Sequence, residues 1–406
     1  QCPCRHYKNF LRHGCIQFEV WWRNTARWWW CHQFIPASRG VRRRWSILSW
    51  STKILRACYH GFGGRLQTQR RVGGYNIDLI DLKTSIDIKN LPTKGFIKSR
   101  ITYLITYVLS IVKLHLLLKK NKPEFLIIHL ITSIPLSLLI LFNYETKFIL
   151  RVSGYPKLNF WRSILWKIAN KKLYKIFCPT ILTQKLLLRK KVFKKEKLFV
   201  VRDPIIDVKD ISKKRKDKID HQFNWIKDKN YILSIGRLSK QKNYKFLIKN
   251  FANISKKYPN LDLVIIGEGE EEKKLKDLIK INNLEKKIFL VGKKKNIYPY
   301  LSNALFFVLT SDWEDPGFVI IESMFTRKII FSSNCKNGPI EIIDDHHNGF
   351  LYERNDQKDF ENKFDLVMKI VSLGKKEKKQ ILYSAIKKTK LFSLFNHYKD
   401  ISPHLN

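Results

Sequence analysis

The sequence predicts an α/β protein of two Rossmann-like domains facing a central cleft, the first of them incomplete. Three observations predict it. From Gly73 onward, short apolar runs alternate with longer amphipathic stretches, the pattern of a parallel sheet with helices on its faces. The alternation is interrupted once, by a polar segment over residues 204–230, and then restarts. In the second set, two apolar runs end in polar, glycine-containing turns that start helices. Backbone N–H groups and the helix dipole make such turns anion sites.

Composition divides the chain before any element is placed. Its 406 residues suffice for two domains with separate cores. A net charge of +44 points to anionic partners: phosphate ligands, acidic lipid or nucleic acid. Residues 1–72 hold 12 Arg, 2 Lys, a single acidic residue (Glu19), 5 of the 7 Cys and 7 of the 11 Trp. Beyond them the cation switches to lysine, with 55 Lys against 9 Arg. Trp and Arg together suit a membrane-interface or nucleic-acid arm. Neither helical nor strand periodicity persists there, and no apolar h-region marks a signal peptide. Residues 1–72 are therefore expected to be out-of-frame or foreign sequence, which resequencing the 5′ region tests. Cys2-Pro-Cys4 has no second pair at zinc spacing, so no metal site is expected, and isolated Cys178 and Cys335 fit a reduced, cytoplasmic protein.

The N-terminal, acceptor-side domain is placed at 73–203. Strands are expected at 75–82, 125–129, 147–152, 173–177 and 198–201, with helices at 96–118, 134–142 and 159–172. Phe125 to Phe142 carries no formal charge over 18 residues, the lower edge of a membrane span. Pro135 and Thr132-Ser133 fall at its middle, where a strand would turn into a helix, so a buried core is favoured. After the linker 204–230, the second domain covers 231–390 and a tail covers 391–406. Its strands are expected at 231–235, 261–266, 287–291, 304–310 and 328–332 with helices between them; after Pro339 come a short helix, Gly349-Phe350-Leu351-Tyr352, and two charged helices to about 391. A doubly wound sheet binds ligand at the carboxyl ends of its strands.

Two motifs fall at those ends. Gly236-Arg237-Leu238-Ser239-Lys240-Gln241-Lys242-Asn243 sets Arg237 and Lys242 around a helix start, where two cations can stabilise the charge developing on a phosphate leaving group. Either lysine of that turn could equally be a solvated surface charge. Glu314-Asp315-Pro316-Gly317-Phe318-Val319-Ile320-Ile321-Glu322 sets two carboxylates about two helical turns apart, suited to paired hydrogen bonds from vicinal hydroxyls. Between these motifs, Gly267-Glu268-Gly269 ends a strand, and by itself marks no more than a tight turn.

In this order and approximate spacing, with the Leu290-Val-Gly292 loop, Asn337-Gly338-Pro339-Ile340-Glu341-Ile342 and Asn348-Gly349-Phe350-Leu351, the chain resembles the GT-B retaining glycosyltransferases of group 1, or family 4, of the kind that builds surface polysaccharide. The resemblance is close over 225–390 and looser over 74–203. It implies Arg237 and Lys242 on a donor diphosphate, Glu314 beside the transferred sugar, and Gly317, Phe318 and Val319 amides around sugar and phosphate. It implies Glu322 on the ribose, and Gly236 and Gly292 at the donor, with the loop after Val291 holding the base. No bound metal or other cofactor is implied. The family's first domain normally opens with a strand and a Gly-rich loop, and residues 1–72 do not read that way. Where members often carry a His after the strand at 147–152, this chain has Arg151-Val152-Ser153. Arg151 and Ser153 are thus acceptor-side candidates, and His129, which could instead be a packed strand-end residue, a more distant one.

The function expected is hexose transfer, with retention, from a nucleoside-diphosphate sugar to a glycan or lipid-linked acceptor in cell-surface polysaccharide synthesis. The basic stretches Lys98–Lys122 and Lys157–Lys195 would hold the protein peripherally on the inner, anionic face of the cell membrane, or are simply solvated. Two alternatives stand beside it: a basic α/β nucleic-acid-binding protein, for which no recognised motif speaks, and a catalytically incomplete remnant.

Overall fold

The computed structural model describes residues 15–21, 46–51, 69–72, 75–80, 96–129, 132–154, 156, 158–373 and 375–405. The chain divides into two compact units: the first runs to Val201 and takes back the final residues from Ile401, and the second spans Arg202–Asp400.

The first unit is an eight-stranded sheet. Its strands are β1 (Cys15–Trp21), β2 (Ser46–Ser51), β3 (Gln69–Val72), β4 (Tyr75–Ile80), β5 (Phe125–His129), β6 (Lys147–Arg151), β7 (Lys175–Cys178) and β8 (Leu198–Val200). They lie in the order β3-β4-β2-β1-β5-β6-β7-β8. Only the β3–β4 pair is antiparallel. Three of these strands come from residues 1–72, where no element was expected. Ile16, Phe18 and Val20 do alternate with Gln17 and Glu19, but over too few residues to stand out among the Arg and Trp around them. Among the described residues four helices follow: α1 (Phe96–Asn121), α2 (Ser133–Leu141), α3 (Phe160–Asn170) and α4 (Ile181–Arg189). The last was not expected from the sequence. It starts at Thr180, whose Oγ1 accepts the Thr183 N–H at 3.0 Å, and it buries Leu187.

Strand alternation sorts the first core. Leu126, Ile128, Phe148, Leu150, Ile176 and Cys178 face the helices, while Phe125, Ile149 and Phe177 face the other way and meet Ile401 and Leu405. Within the uncharged stretch 125–142 lie strand β5 and α2, whose Phe125, Leu126, Ile128, Ile134, Leu136, Leu138 and Leu139 are buried. Among the described residues no helix is long and apolar enough to cross a membrane.

The second sheet holds β9 (Asn230–Ile235), β10 (Leu261–Ile266), β11 (Ile288–Leu290), β12 (Phe307–Leu309), β13 (Ile330–Ser333) and β14 (Phe350–Tyr352), all parallel. Their order is β11-β10-β9-β12-β13-β14, so the chain reverses direction across the sheet between β9 and β12. That reversal opens a crevice at the strand ends, where doubly wound folds bind ligands. The helices are α5 (Val208–Lys214), α6 (Tyr244–Lys257), α7 (Glu272–Ile281), α8 (Tyr298–Asn303), α9 (Phe318–Phe325), α10 (Pro339–Ile342), α11 (Gln357–Ser372), α12 (Lys375–Thr389) and α13 (Leu394–Ile401). One sheet face carries Ile232, Leu263, Ile265, Phe306, Val308 and Phe331; the other carries Leu233, Val264, Ile266, Phe307 and Leu309.

Residues 204–230, expected as a linker, pack into this second face. Ile206, Ile211, Ile219 and Ile226 are buried there among otherwise polar neighbours. The buried isoleucines stand at irregular intervals and give no period to read, yet burying each is worth about 2 kcal/mol.

Candidate active site

The first of the two turns is shaped by backbone packing. Leaving β9, Gly236 donates its N–H to Ile266 O at 3.0 Å. Gly267, at the end of β10, sits so close that a Cβ there would fall 1.8 Å from Gly236 O. Only glycine allows the two strand ends this approach, so the Gly267-Glu268-Gly269 turn does more than reverse the chain. The Lys242 stem then passes back over Gly236, its Cε 2.9 Å from where a Gly236 Cβ would stand. Asn243, at φ +47°, caps α6 by accepting the Phe246 N–H through Oδ1 at 3.3 Å.

The second turn follows β12. Thr310 Oγ1 donates to Lys242 O at 3.0 Å, and Asp312 N–H donates to Gln241 O at 2.9 Å, pinning the two turns together. Glu314 is 4% exposed, and its Oε1 accepts from Lys242 Nζ and from Ser311 Oγ, each at 2.5 Å. Asn337 Nδ2 donates to Glu314 O at 3.4 Å and to Asp315 Oδ1 at 3.2 Å, holding the turn from the far side. Gly317 caps α9 at φ +88°, a left-handed conformation that side chains resist. The N–H groups that open α9 thus point away from the helix beside Glu314.

Of the residues the sequence nominates, Lys242 and Glu314 are in direct contact, and Gly236 and Gly317 make the turns that carry them. Arg237 is half-buried beside Gly236, and its Nε is enclosed with no hydrogen-bond partner among the described residues. Phe318 and Val319 form the first turn of α9 and are half-buried. Glu322 lies on the same helix and accepts from Tyr298 Oη at 3.0 Å. Gly292, at φ +68°, borders open space, and its carbonyl accepts the Gly267 N–H at 3.0 Å. Next to it Lys293 pairs with Glu268 at 3.1 Å.

Sequence reasoning did not nominate Ser311, Tyr298, Thr310 or Asn337. Each acts through a partner distant in sequence or by a single hydroxyl, which leaves no local pattern. Tyr244 carries no signal in the sequence, and Cys335 reads there only as an isolated thiol. Both are buried; burial pushes the Tyr244 phenol above its usual range and, ahead of the nearby Glu314 charge, pushes the Cys335 thiol up to about 12.

In the first unit, the acceptor-side candidates converge. His129 and Arg151 are register partners across β5 and β6, and Arg151 Nη1 lies 2.7 Å from His129 Nε2. A guanidinium can only donate, so His129 accepts through Nε2 and is the neutral, Nδ1-protonated tautomer. Both side chains are buried. Ser153 is half-buried two residues further on. Beneath them burial holds the Cys178 thiol up at about 12, against the opposing pull of Arg151.

Two doubly wound units, the second with a cation and a carboxylate at its switch point, define the GT-B class of α/β folds. Residues 215–388 match the family model described as glycosyl transferases group 1. An uncharacterized glycosyltransferase of Methanocaldococcus jannaschii is 31% identical over 243 residues, covering 56% of this chain and 59% of that protein. A Campylobacter jejuni N-acetylgalactosamine-N,N'-diacetylbacillosaminyl-diphospho-undecaprenol 4-alpha-N-acetylgalactosaminyltransferase is 37% identical over 148 residues, 36% of this chain and 38% of that one. The chain thus spans less than two thirds of the length of these relatives. The crystal structure of HepE from Anabaena in complex with UDP superposes with a TM-score of 0.66, at 14% identity, over 96% of this chain and 99% of that one, a likeness of fold.

Proposed function

We propose that the protein is a retaining glycosyltransferase, moving a hexose from a nucleoside-diphosphate sugar to a glycan or lipid-linked acceptor in surface-polysaccharide or glycoconjugate synthesis. It works in the cytoplasm, at the inner face of the cell membrane. The observation that carries this reading is the Lys242–Glu314 pair at the switch point of a group 1 glycosyltransferase domain. The Campylobacter relative's name, with its lipid diphosphate acceptor, and the UDP held by the Anabaena neighbour support the choice of partners.

In this reading the donor diphosphate lies against Lys242, Arg237 and the first N–H groups of α9. Two fixed cations and helix-end amides stabilise the charge that gathers on the β-phosphate as the anomeric C–O bond breaks. The acceptor hydroxyl forms its bond on the same face, and its proton passes to the departing phosphate oxygen. Glu314 holds Lys242 in place and offers its second carboxylate oxygen toward the sugar hydroxyls. Glu322 accepts from the ribose, and the backbone after Val291 holds the base. Arg151 and Ser153 serve the acceptor. The chemistry asked of these residues is charge stabilisation, for which they need no metal or other cofactor.

A thermal-shift screen of nucleoside mono- and diphosphates tests the reading. One nucleoside diphosphate should raise the melting temperature well above its monophosphate. Equal shifts from all, or from none, would defeat it.

A further inference from the structure

In the first unit, α1, α2 and α3 pack side by side over one sheet face. Their outward sides carry apolar residues where solvent-facing helices are ordinarily polar. On α1, Val112 and Leu116 lie one turn apart and are 57% and 59% exposed. On α3, Trp161 and Ile168 lie two turns apart, and the Trp is 77% exposed. Leu141, at the end of α2, is 67% exposed.

These spots belong to one surface. The Phe142 ring, itself exposed, sits 4.2 Å from the His115 ring of α1. From beyond α3, Lys172 Nζ donates to Ile140 O at 3.1 Å and Phe142 O at 3.3 Å. The end of α2 is thereby tied to the outer side of α1 and to the end of α3.

The charge around this surface has one sign. Helix α1 contains no acidic residue. Residues 146–195 contain none either, against 14 Lys and Arg. Glu124 and Glu145, the two carboxylates between these stretches, are paired with Lys147 at 3.5 Å and Lys122 at 2.7 Å, which leaves the net charge positive. Lys119, Lys120, Lys167 and Lys171 are exposed along the rim. An apolar strip bordered by cations matches an anionic bilayer surface: the apolar side chains enter the headgroup–acyl boundary and the ammonium groups reach lipid phosphates. A Trp at the edge suits the interface itself.

We propose that the outer side of α1, α2 and α3 is a docking face for anionic phospholipid, with Trp161, Ile168, Leu141 and Leu116 as its inserted residues. The face rests on the membrane attachment proposed above, to which it gives named contact residues, and is independent of the donor chemistry.

The full-length protein is sedimented with vesicles of phosphatidylcholine alone, and with vesicles containing roughly one third phosphatidylglycerol. It should bind the anionic vesicles, release them at high salt, and bind the neutral ones weakly. Trp161→Ala with Ile168→Asn, and separately Leu116→Asn, should each lower the partition coefficient about tenfold, because each removes exposed apolar surface. Leu373→Ala and Tyr383→Ala, at exposed apolar positions of the second unit, should leave it unchanged. Unchanged thermal unfolding confirms that the variants fold. Equal binding by all variants, or equal binding to both vesicle types, overturns the proposal. So does an absence of vesicle binding accompanied by lost turnover on a soluble glycan acceptor, which would make the face a glycan site. Loss of nucleoside diphosphate binding with vesicle binding intact would strike only the donor reading.

Discussion

Lys242 Nζ lies 2.5 Å from Glu314 Oε1, joining two turns that are 72 residues apart in sequence. The lysine side chain is 14% exposed and the carboxylate 5%, so the pair is held largely out of water. A cation fixed this way keeps its position at the strand end without reorganising when charge develops beside it, which is where electrostatic catalysis gains most.

Replacing Lys242 by Met should lower turnover by about 10²–10³, the scale of one lost charge-stabilising donor. It also strands a buried carboxylate, at a cost of up to about 3 kcal/mol, since Ser311 still donates to it. The double variant Lys242→Met, Glu314→Gln should recover much of that stability and none of the turnover. Urea unfolding and a donor assay separate the two effects; a double variant that regains activity would remove Lys242 from the chemistry.

Glu322→Ala should weaken nucleoside diphosphate binding by about 1.5–3 kcal/mol, the worth of charge-assisted hydrogen bonds, or roughly ten- to hundredfold in Kd. Tyr298→Phe removes only the hydroxyl that donates to Glu322 and should cost about 1 kcal/mol or less. Calorimetric titration of both variants measures this. Matching losses would mean that the pair only ties α8 to α9.

At Gly267, alanine would force a Cβ to 1.8 Å from Gly236 O, a backbone atom that moves only with its strand. Gly267→Ala should therefore destabilise the second unit by about 3 kcal/mol or more and displace the Arg237–Lys242 turn. Denaturant unfolding reads the first effect and donor affinity the second. A stable variant with native affinity would show that the strand ends can separate freely.

Lys328 supplies a pH test. Burial, followed by repulsion from Lys378 and Arg215, lowers its pKa to about 8, and Nζ donates to Ser302 O at 2.8 Å and Ala304 O at 2.7 Å. Unfolding returns it to 10.5, so between pH 8 and 10.5 the unfolded chain binds one proton more. Its contribution to stability therefore rises with pH across that window, by up to about 1.4 kcal/mol per unit, and is lost as pH falls toward 8. Lys328→Met should flatten the stability profile there by that slope. An unchanged slope would place the ammonium in water.

Much of the second unit was legible in the sequence because its strands are uniformly apolar and its turns carry glycine at fixed places. Gly236, Gly317 and the strand before each are visible as local patterns, and the sheet forms where they predict. The residues that complete the site were not legible. Ser311 and Tyr298 reach Glu314 and Glu322 through single hydroxyls, and a lone Ser or Tyr reads as any surface residue. Segment 204–230 read as a linker because isoleucines without a period look like loop composition until a sheet face is there to receive them. In residues 15–21 the alternation of Ile16, Phe18 and Val20 was hidden by the Arg and Trp on either side.

By itself, then, the sequence determined two α/β sets, the glycine turns at the strand ends, and a cationic surface, because these follow from periodicity, glycine placement and charge count. Only the tertiary structure decided which charges meet. That Lys242 is clamped by Glu314 rather than solvated, that Arg151 donates to His129, and that three helices present one apolar strip all depend on contacts between residues far apart in the chain. Hydrogen bonds and ion pairs act over a few ångströms in space, and no spacing along the chain encodes that distance.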